Sequence, residues 1–506
     1  MLARHGRHAV DTIAAVPESG ASPYDAVPYP ARAFIQTHPD RLATLATLCG
    51  LSPAPPAACR VLELGCGAGG NLLPMAVALP GSTFVGIDTS RRAVERAQAV
   101  TDSLGLTNIR FEEISIDDFR APAGSFDYVI AHGVFSWVPD SVREALLELS
   151  ARMLSEHGVA YVSYNALPGG HGRQALREML AYHVRAVEGP EERMAAARGF
   201  LRLLGAAAEA DPELAKSFGR EARVLADNVD GLFFHDTLAE HNRPFYFHEF
   251  TAMAAAHDLQ YLSEAEFSET QLGALPEQLR EALLTISDPL AREQYLDFLK
   301  ERMFRQTLLC HARAQVDRAP RPERLAALAA SAPLRWTPGE TSGQLRFAGP
   351  GGAQLTTDHP VVTAALRQLG EAWPAAVPVA ELAPDGQLGT VCEALLRCFA
   401  ANLVRLHVHP PAVSVAAPER PRVSALARLE AAQGELLTTV RHTGLRVDDE
   451  LGRRLVTLLD GTHDRAALLD ELAPAAALGR DELAGALEQS LARLARAGML
   501  LPDGAA

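Results

Sequence analysis

Apolar and polar positions change period along the chain, from two in some blocks to about 3.6 in others. Residues 1–22 show neither period. Tyr24–Gly50 carries aromatic and proline markers, then passes into a helix over Arg41–Cys49 with Asp40 read as its cap. Ser52–Ala58 is a Pro-rich connector. Apolar runs at Arg60–Leu64, Thr83–Ile87, Ile109–Glu113, Phe126–Ala131 and Val159–Tyr164 then alternate with helical patterns over Asn71–Leu79, Arg91–Leu104 and Ser141–Leu154. That alternation predicts an α/β domain with a parallel sheet and right-handed crossovers. Residues 172–230 read as helices; HEFTAMAAAHD is a further helix and LQYLSEAEF a sixth strand. About 170–244 is therefore a helical insertion, expected over the carboxyl edge of the sheet, where ligands bind in such folds. Residues 270–317 read as helical again. From Ser331 short helices mix with hairpins, interrupted by a second Pro-rich linker at Pro410–Arg422. Leu455–Leu459, Arg465–Leu472 and Arg480–Ala497 then form a compact helical unit.

Composition narrows the class. The chain has 506 residues, enough for two to four domains, and is 48% hydrophobic and 22% charged, a globular balance. The net charge of −15 argues against a nucleic-acid partner, which usually requires a basic footprint. Six cysteines without metal-type spacing argue against a disulfide scaffold or a zinc ribbon. No signal peptide and no run of 18 uncharged apolar residues is seen, so the expectation is a cytoplasmic protein without stable membrane insertion. Only Lys216 and Lys300 are lysines. Arg- and Ala-favouring codons explain that bias, and a lysine-modifying enzyme sparing itself is the sharper alternative.

The motif with most chemistry is Val61–Asn71, VLELGCGAGGN, a strand feeding a Gly-rich turn and a helix. Glycines there let main chain turn tightly and touch a ligand. Asp88, ending the next strand in VGIDTS, can accept ribose hydroxyls. Gly65, Gly67 and Gly70 also satisfy the dinucleotide pattern G-x-G-x-x-G. Two details favour S-adenosylmethionine. Glu63 would repel a pyrophosphate but tolerates a cationic sulfonium, and Ile116–Phe119 (IDDF) follows the third strand, where an adenine ring would lie.

ELGCGAGGN, GIDTS, IDDF and FDYVIAHGVFSWVP resemble the successive motifs of class I S-adenosylmethionine-dependent methyltransferases. SYNALPGG, YDAVPYPARAFIQTHPDRLATLA and FHDTLAEHNRPFYFHEF are similar to the bacterial members that carry a methyltransferase regulatory domain, among them protein-lysine methyltransferases of outer-membrane proteins. The resemblance covers residues 24–317; LLDGTHDRAALLDEL resembles, more loosely, that family's winged-helix tail. It implies S-adenosyl-L-methionine as cofactor, held by Glu63, Gly65, Cys66, Gly67, Gly69, Asn71, Asp88, Thr89, Asp117, Asp118, His132, Gly133 and Val134. It also implies a Rossmann-like class I sheet with a helical insertion and a mainly helical, winged-helix-like C-terminal region. The expected divisions are 1–58 (lid), 59–169 (cofactor core), 170–244 (insertion), 245–330 (completion of the core and regulatory helices), 331–420 and 421–506.

The acceptor belongs at the end of the fourth strand. His132, Trp137 and Tyr164 are the catalytic candidates, with His132 able to relay a proton or simply to be a bonded structural histidine. Tyr29, Phe135, Trp137, Asn165, Tyr246 and His248 are the substrate candidates, and Phe135 and Trp137 could wall a methyl channel through cation–π contact. Tyr24, with Tyr29, could close over the cofactor. His235, Asp236, His241, His248 and Glu249 lack metal-ligand spacing; no metal is expected, and an acidic, aromatic surface for a basic segment is the better reading. The place of an Asn/Asp-Pro-Pro-aromatic motif reads AHGVFSW, against a nucleic-acid base as substrate. The expected function is methyl transfer to protein lysine, with a protein or peptide partner and a homodimer left open. The alternatives are a small-molecule or biosynthetic-peptide N/O-methyltransferase and a non-catalytic cofactor-binding regulator.

Overall fold

The computed structural model describes residues 27, 29–211, 213, 216–273 and 275–504. Tyr24 lies outside them. The first helix, α1 (Pro39–Leu48), has proline at its first position, where a missing N–H costs nothing. His38, not Asp40, caps it, accepting from the Asp40 N–H at 3.2 Å. The Asp40 carboxylate is engaged elsewhere, by the His407 ring at 2.7 Å and the His409 N–H at 2.7 Å.

The sheet domain follows as β1 (Arg60–Leu64), α2 (Leu72–Ala78), β2 (Thr83–Asp88), α3 (Arg91–Leu104), β3 (Ile109–Glu113), β4 (Phe126–Ala131), α4 (Asp140–Met153) and β5 (Leu154–Asn165). Local signals set the boundaries. Ser90 accepts from the Ala93 N–H to start α3, and Gly105, left-handed at φ 63°, ends it. The helical insertion comprises α5 (Gly170–His183), α6 (Pro190–Ala210) and α7 (Gly219–Ala226), then a π-helical turn at Phe233–Thr237. It has its own small core of Leu176, Leu180, Met194, Leu201, Leu225 and Phe233. The chain returns to the sheet through α8 (Phe247–Ala256), β6 (Leu259–Glu264), α9 (Glu277–Leu284), α10 (Pro289–Lys300) and β7 (Phe304–His311).

Strand β7 corrects the reading of 270–317 as wholly helical. It lies between β5 and β6, antiparallel to both, in the order β3-β2-β1-β4-β5-β7-β6; the strands from β3 to β5 are parallel. Its FRQT half does not read as an apolar run. Arg305 is nonetheless fully buried, because Glu264 on β6 (2.6 Å) and both oxygens of Asp297 on α10 (2.8 Å each) neutralise it.

Alternation along the strands divides the core. Val61, Tyr128, Ile130, Val159 and Tyr161 face α1, α2 and the downstream region, whereas Leu62, Leu64, Val129, Val162 and Tyr164 face α4 and α8. The downstream region contributes β8 (Ala329–Ser331), a meander β9 (Arg335–Pro338), β10 (Leu345–Ala348) and β11 (Gln354–Thr357), then α11 (Pro360–Ala372), β12 (Val377–Pro378), α12 (Leu388–Ala400) and β13 (Arg405–His407). Leu366, Leu395 and Phe399 belong to the same continuous core as Leu42 and Val61, so this region is built onto the sheet domain. The last part has a separate core running from Val423 to Leu500. It contains α13 (Ala425–Gln433), a hairpin of β14 (Leu436–Thr438) and β15 (Gly444–Arg446), and helices α14 (Glu450–Leu458), α15 (Arg465–Leu472) and α16 (Arg480–Arg496).

Candidate functional site

A cavity of about 380 Å³ opens at the carboxyl ends of β1, β2 and β4. Its floor is the glycine loop. Gly65 (φ 71°) and Cys66 both donate to the Ile87 carbonyl, at 2.9 and 3.0 Å. A Cβ on Gly65 would lie 2.6 Å from the Val134 side chain, so only glycine fits where loop and β4 meet. Asp88 fixes the loop from β2: Oδ2 accepts from the Gly67 N–H and Oδ1 from the Ser90 N–H, each at 2.8 Å. Gly70 backs against the Ala31–Arg32 main chain, which a Cβ would approach within 2.6–2.7 Å. The segment 29–34 thereby lies as a strap along the loop.

Glu63 is 3% exposed. Its Oε1 accepts from Asn71 Nδ2 at 2.7 Å, while Oε2 is buried without a hydrogen-bond partner. Burial pushes its pKa up to about 8, against the Asn71 hydrogen bond and with help from the Asp88 charge. A buried carboxyl oxygen left without a partner beside an acid-lined cavity is suited to a positively charged ligand, which favours its ionised form. Space at Gly67 and Gly133, where an added Cβ would meet nothing within 4 Å, leaves room for it against main chain.

The facing wall carries His132, Gly133, Val134, Trp137, Tyr29 and Asp236. His132 Nδ1 lies 2.9 Å from the Tyr161 hydroxyl, and burial pulls the ring's pKa down to about 4. It is thus a neutral, poorly basic imidazole, packed at a tilt of 31° with its centroid 3.8 Å from that of the Phe34 ring. Asp236 comes from the π-helical turn of the insertion. Burial raises its carboxyl to about 6 against the pull of Arg173, Arg177 and a Tyr29 hydrogen bond. Trp137 lies under the Arg177 guanidinium at 5.2 Å.

Of the residues singled out from sequence, Tyr29, Glu63, Gly65, Cys66, Gly67, Asn71, Asp88, Thr89, Asp117, His132, Gly133, Val134 and Trp137 line this cavity. Others lie elsewhere. Gly69 packs on Phe111 and Leu73, and Gly70 takes the lining position. The Asp118 carboxylate turns to the Ser115 hydroxyl at 2.8 Å. Phe135 and Tyr164 are 0% and 1% exposed in an aromatic cluster with Phe245 and Phe250, because strand alternation sends Tyr164 toward α8. Asn165 is tied to Ser136 and Asn242 at the end of β5. Tyr246 caps α8, and His248 binds Gln294 on α10 at 2.8 Å. No three His, Cys, Asp or Glu side chains among the described residues could hold a metal ion. The sequence reading did not place Asp236 at the cavity, nor find the His442 ring on Asn71 (2.9 Å). Only the acidic and aromatic composition of 233–249 hinted at the former.

Three family models match: "Methyltransferase domain" at 61–158, "Predicted methyltransferase regulatory domain" at 230–311 and "PKMT, C-terminal winged helix domain" at 419–496. An uncharacterized protein of Rickettsia prowazekii is 34% identical over 232 residues, covering 46% of this chain and 93% of that protein. The chain belongs to the class I S-adenosylmethionine-dependent methyltransferases, in the group with a methyltransferase regulatory domain. A second Rickettsia prowazekii protein, also uncharacterized, is 41% identical over 298 residues, 59% of this methyltransferase chain and 54% of its own. With a Synechocystis relative matched over 49%, this chain spans about half the length of two of these curated relatives. The structure of PKMT2 from Rickettsia typhi, also solved with AdoHcy, superposes with a TM-score of 0.83 at 24% identity, over 94% of this chain and 100% of that one. That likeness is one of fold, including the winged-helix region. S-adenosylmethionine is the family's cofactor, and the orphaned Glu63 oxygen with the open glycine cradle fits it.

Proposed function

We propose that this chain transfers methyl groups from S-adenosylmethionine to lysine side chains of a protein or peptide. The observation that carries the reading is the placement of Asp236, Tyr29 and Trp137 on the wall of the cavity whose floor is the glycine loop. The Asp236 carboxylate, hydrogen-bonded by Tyr29, attracts an ammonium, and the low-dielectric aromatic lining favours the neutral amine. The bound cofactor supplies an electrophilic methyl on sulfur. The amine loses its proton to water, its lone pair forms the N–CH₃ bond, and the S–CH₃ electron pair stays with sulfur. Alignment of the two reactants is the main contribution asked of the protein, worth on the order of 7–11 kcal/mol when well oriented. His132, held neutral, packs the strap residue Phe34 and shapes the channel. The name of the Rickettsia typhi relative and the winged-helix match support a protein acceptor.

The cytoplasm is the proposed compartment: the six cysteines are buried free thiols, as a reducing environment keeps them. Among the described residues no helix is long and apolar enough to cross a membrane. Incubation with labelled methyl donor and a whole-cell lysate, followed by mass spectrometry of labelled bands, tests the acceptor. Label on lysine Nζ is expected; label confined to small molecules would overturn the proposal.

A further inference from the structure

Asn71 closes the glycine loop, and its carboxamide is fully used. Nδ2 donates to Glu63 Oε1 at 2.7 Å and to Thr37 Oγ1 at 2.9 Å. Oδ1 accepts from the Phe34 N–H at 3.0 Å. The Thr37 hydroxyl, 3.1 Å from the same Oδ1, has one proton, and Phe34 O at 2.8 Å is its shorter acceptor. The remaining contact at Oδ1 is His442 Nε2 at 2.9 Å, from 371 residues downstream. A carboxamide oxygen only accepts, so His442 carries its proton on Nε2 and donates.

His442 belongs to the turn that joins β14 to β15 in the winged-helix region. The turn is tightly built: the His442 N–H donates to Thr439 O at 3.0 Å, the Thr439 N–H to Thr443 O at 2.8 Å, and the two threonine hydroxyls meet at 2.8 Å. It holds His442 at φ 59°, a left-handed conformation that such a side chain seldom adopts and that persists only where the surroundings over-determine it. The ring is 3% exposed and lies on the wall of a second cavity of about 460 Å³, between α1, the end of α2 and the winged-helix region. The imidazole therefore stands on a partition. On one side is that cavity; on the other, through Asn71, are Glu63 and the strap residue Phe34, both of which line the cofactor cavity.

We propose that His442 is a positioning residue for the cofactor site, through which the docked winged-helix region sets the affinity for the methyl donor by fixing the Asn71 carboxamide. The proposal rests on the reading of the first cavity as the S-adenosylmethionine site. It makes the C-terminal region a part of that site, in addition to any contact it makes with an acceptor. By reciprocity, cofactor binding must also steady the winged-helix turn.

The test uses the full chain and calorimetric titration with S-adenosylhomocysteine. His442→Leu keeps volume and removes the donor; it should raise Kd about 5- to 10-fold, the scale of one lost buried hydrogen bond. His442→Gln can place an N–H near the same point and should stay within about 2-fold of the unmodified chain. Equal affinity in all three proteins overturns the proposal while leaving the cofactor reading intact. An unmodified chain that binds no S-adenosylhomocysteine overturns both. A measurement without substitution guards against a variant that misfolds: hydrogen–deuterium exchange should show amides 439–443 slowed when the ligand binds. Protection of 65–71 with no change at 439–443 would also overturn the proposal.

Discussion

Glu63 shows how one residue constrains the ligand. Its raised carboxyl means that the folded chain holds a proton between about pH 4.5 and 8 that the unfolded chain has lost. This group's contribution to stability therefore falls as pH rises through that window. Thermal unfolding without ligand should show the decline, and Glu63→Gln should lack it. A cationic ligand beside Oε2 favours the carboxylate, so binding near pH 7 should release a proton. Calorimetry in buffers of different ionisation heat measures this; the same proton count for Glu63→Gln and the unmodified chain would count against the account. Asp236 acts in the same sense, on the acceptor instead of the cofactor. Its carboxyl, raised to about 6, attracts an ammonium above that pH and loses the attraction below it. KM for a lysine peptide should rise as pH drops through 6. Asp236→Asn should lower kcat/KM about 10-fold, the scale of one charged hydrogen bond, with cofactor affinity within about 2-fold.

At the scale of elements, the sheet was legible wherever hydrophobic period and local punctuation agreed. β1, β2 and β4 are short apolar runs, and Ser90 and Gly105 mark the ends of α3. The glycine loop and Asp88 were legible for the same reason: loop, strand end and helix are neighbours in sequence. β7 was hidden because its arginine becomes strand-like only when Asp297 and Glu264 neutralise it. Tyr164 was misplaced because the two faces of a doubly covered strand are both apolar, so sequence does not tell which face a ring takes; Phe135, in the turn after β4, joins the same aromatic cluster through Phe245 and Phe250, which are distant in sequence. Asn71 read as the start of a helix and a cofactor residue, and nothing near it in sequence announces His442. The β7 network carries its own prediction. Arg305→Met would leave Glu264 buried without a guanidinium and Asp297 with Arg302 alone, and should cost about 3–5 kcal/mol by denaturant unfolding. A loss below about 1 kcal/mol would mean that the network is incidental to the strand's placement.

For the whole molecule, the decisive feature is that core residues from Leu42 to Leu406 form one apolar body, which Leu426 of α13 joins, while the other buried apolar residues between Val423 and Leu500 form another. The continuous core predicts that removal of 331–506 exposes Leu45, Met75 and their neighbours and yields an aggregating chain. A cut in the linker after Ala412 should leave a soluble, folded protein with weakened cofactor affinity, because only His442 and its turn are lost from the site. Solubility and circular dichroism of the two truncations separate these outcomes. The central claim is that the acid-lined cavity at the sheet's carboxyl edge holds a sulfonium nucleoside. Titration of the full chain with S-adenosylhomocysteine and, in parallel, with NADH tests it most directly. The account predicts one-to-one binding of S-adenosylhomocysteine that Asp88→Ala abolishes, and no heat with NADH; binding of NADH, or silence with S-adenosylhomocysteine, would contradict it.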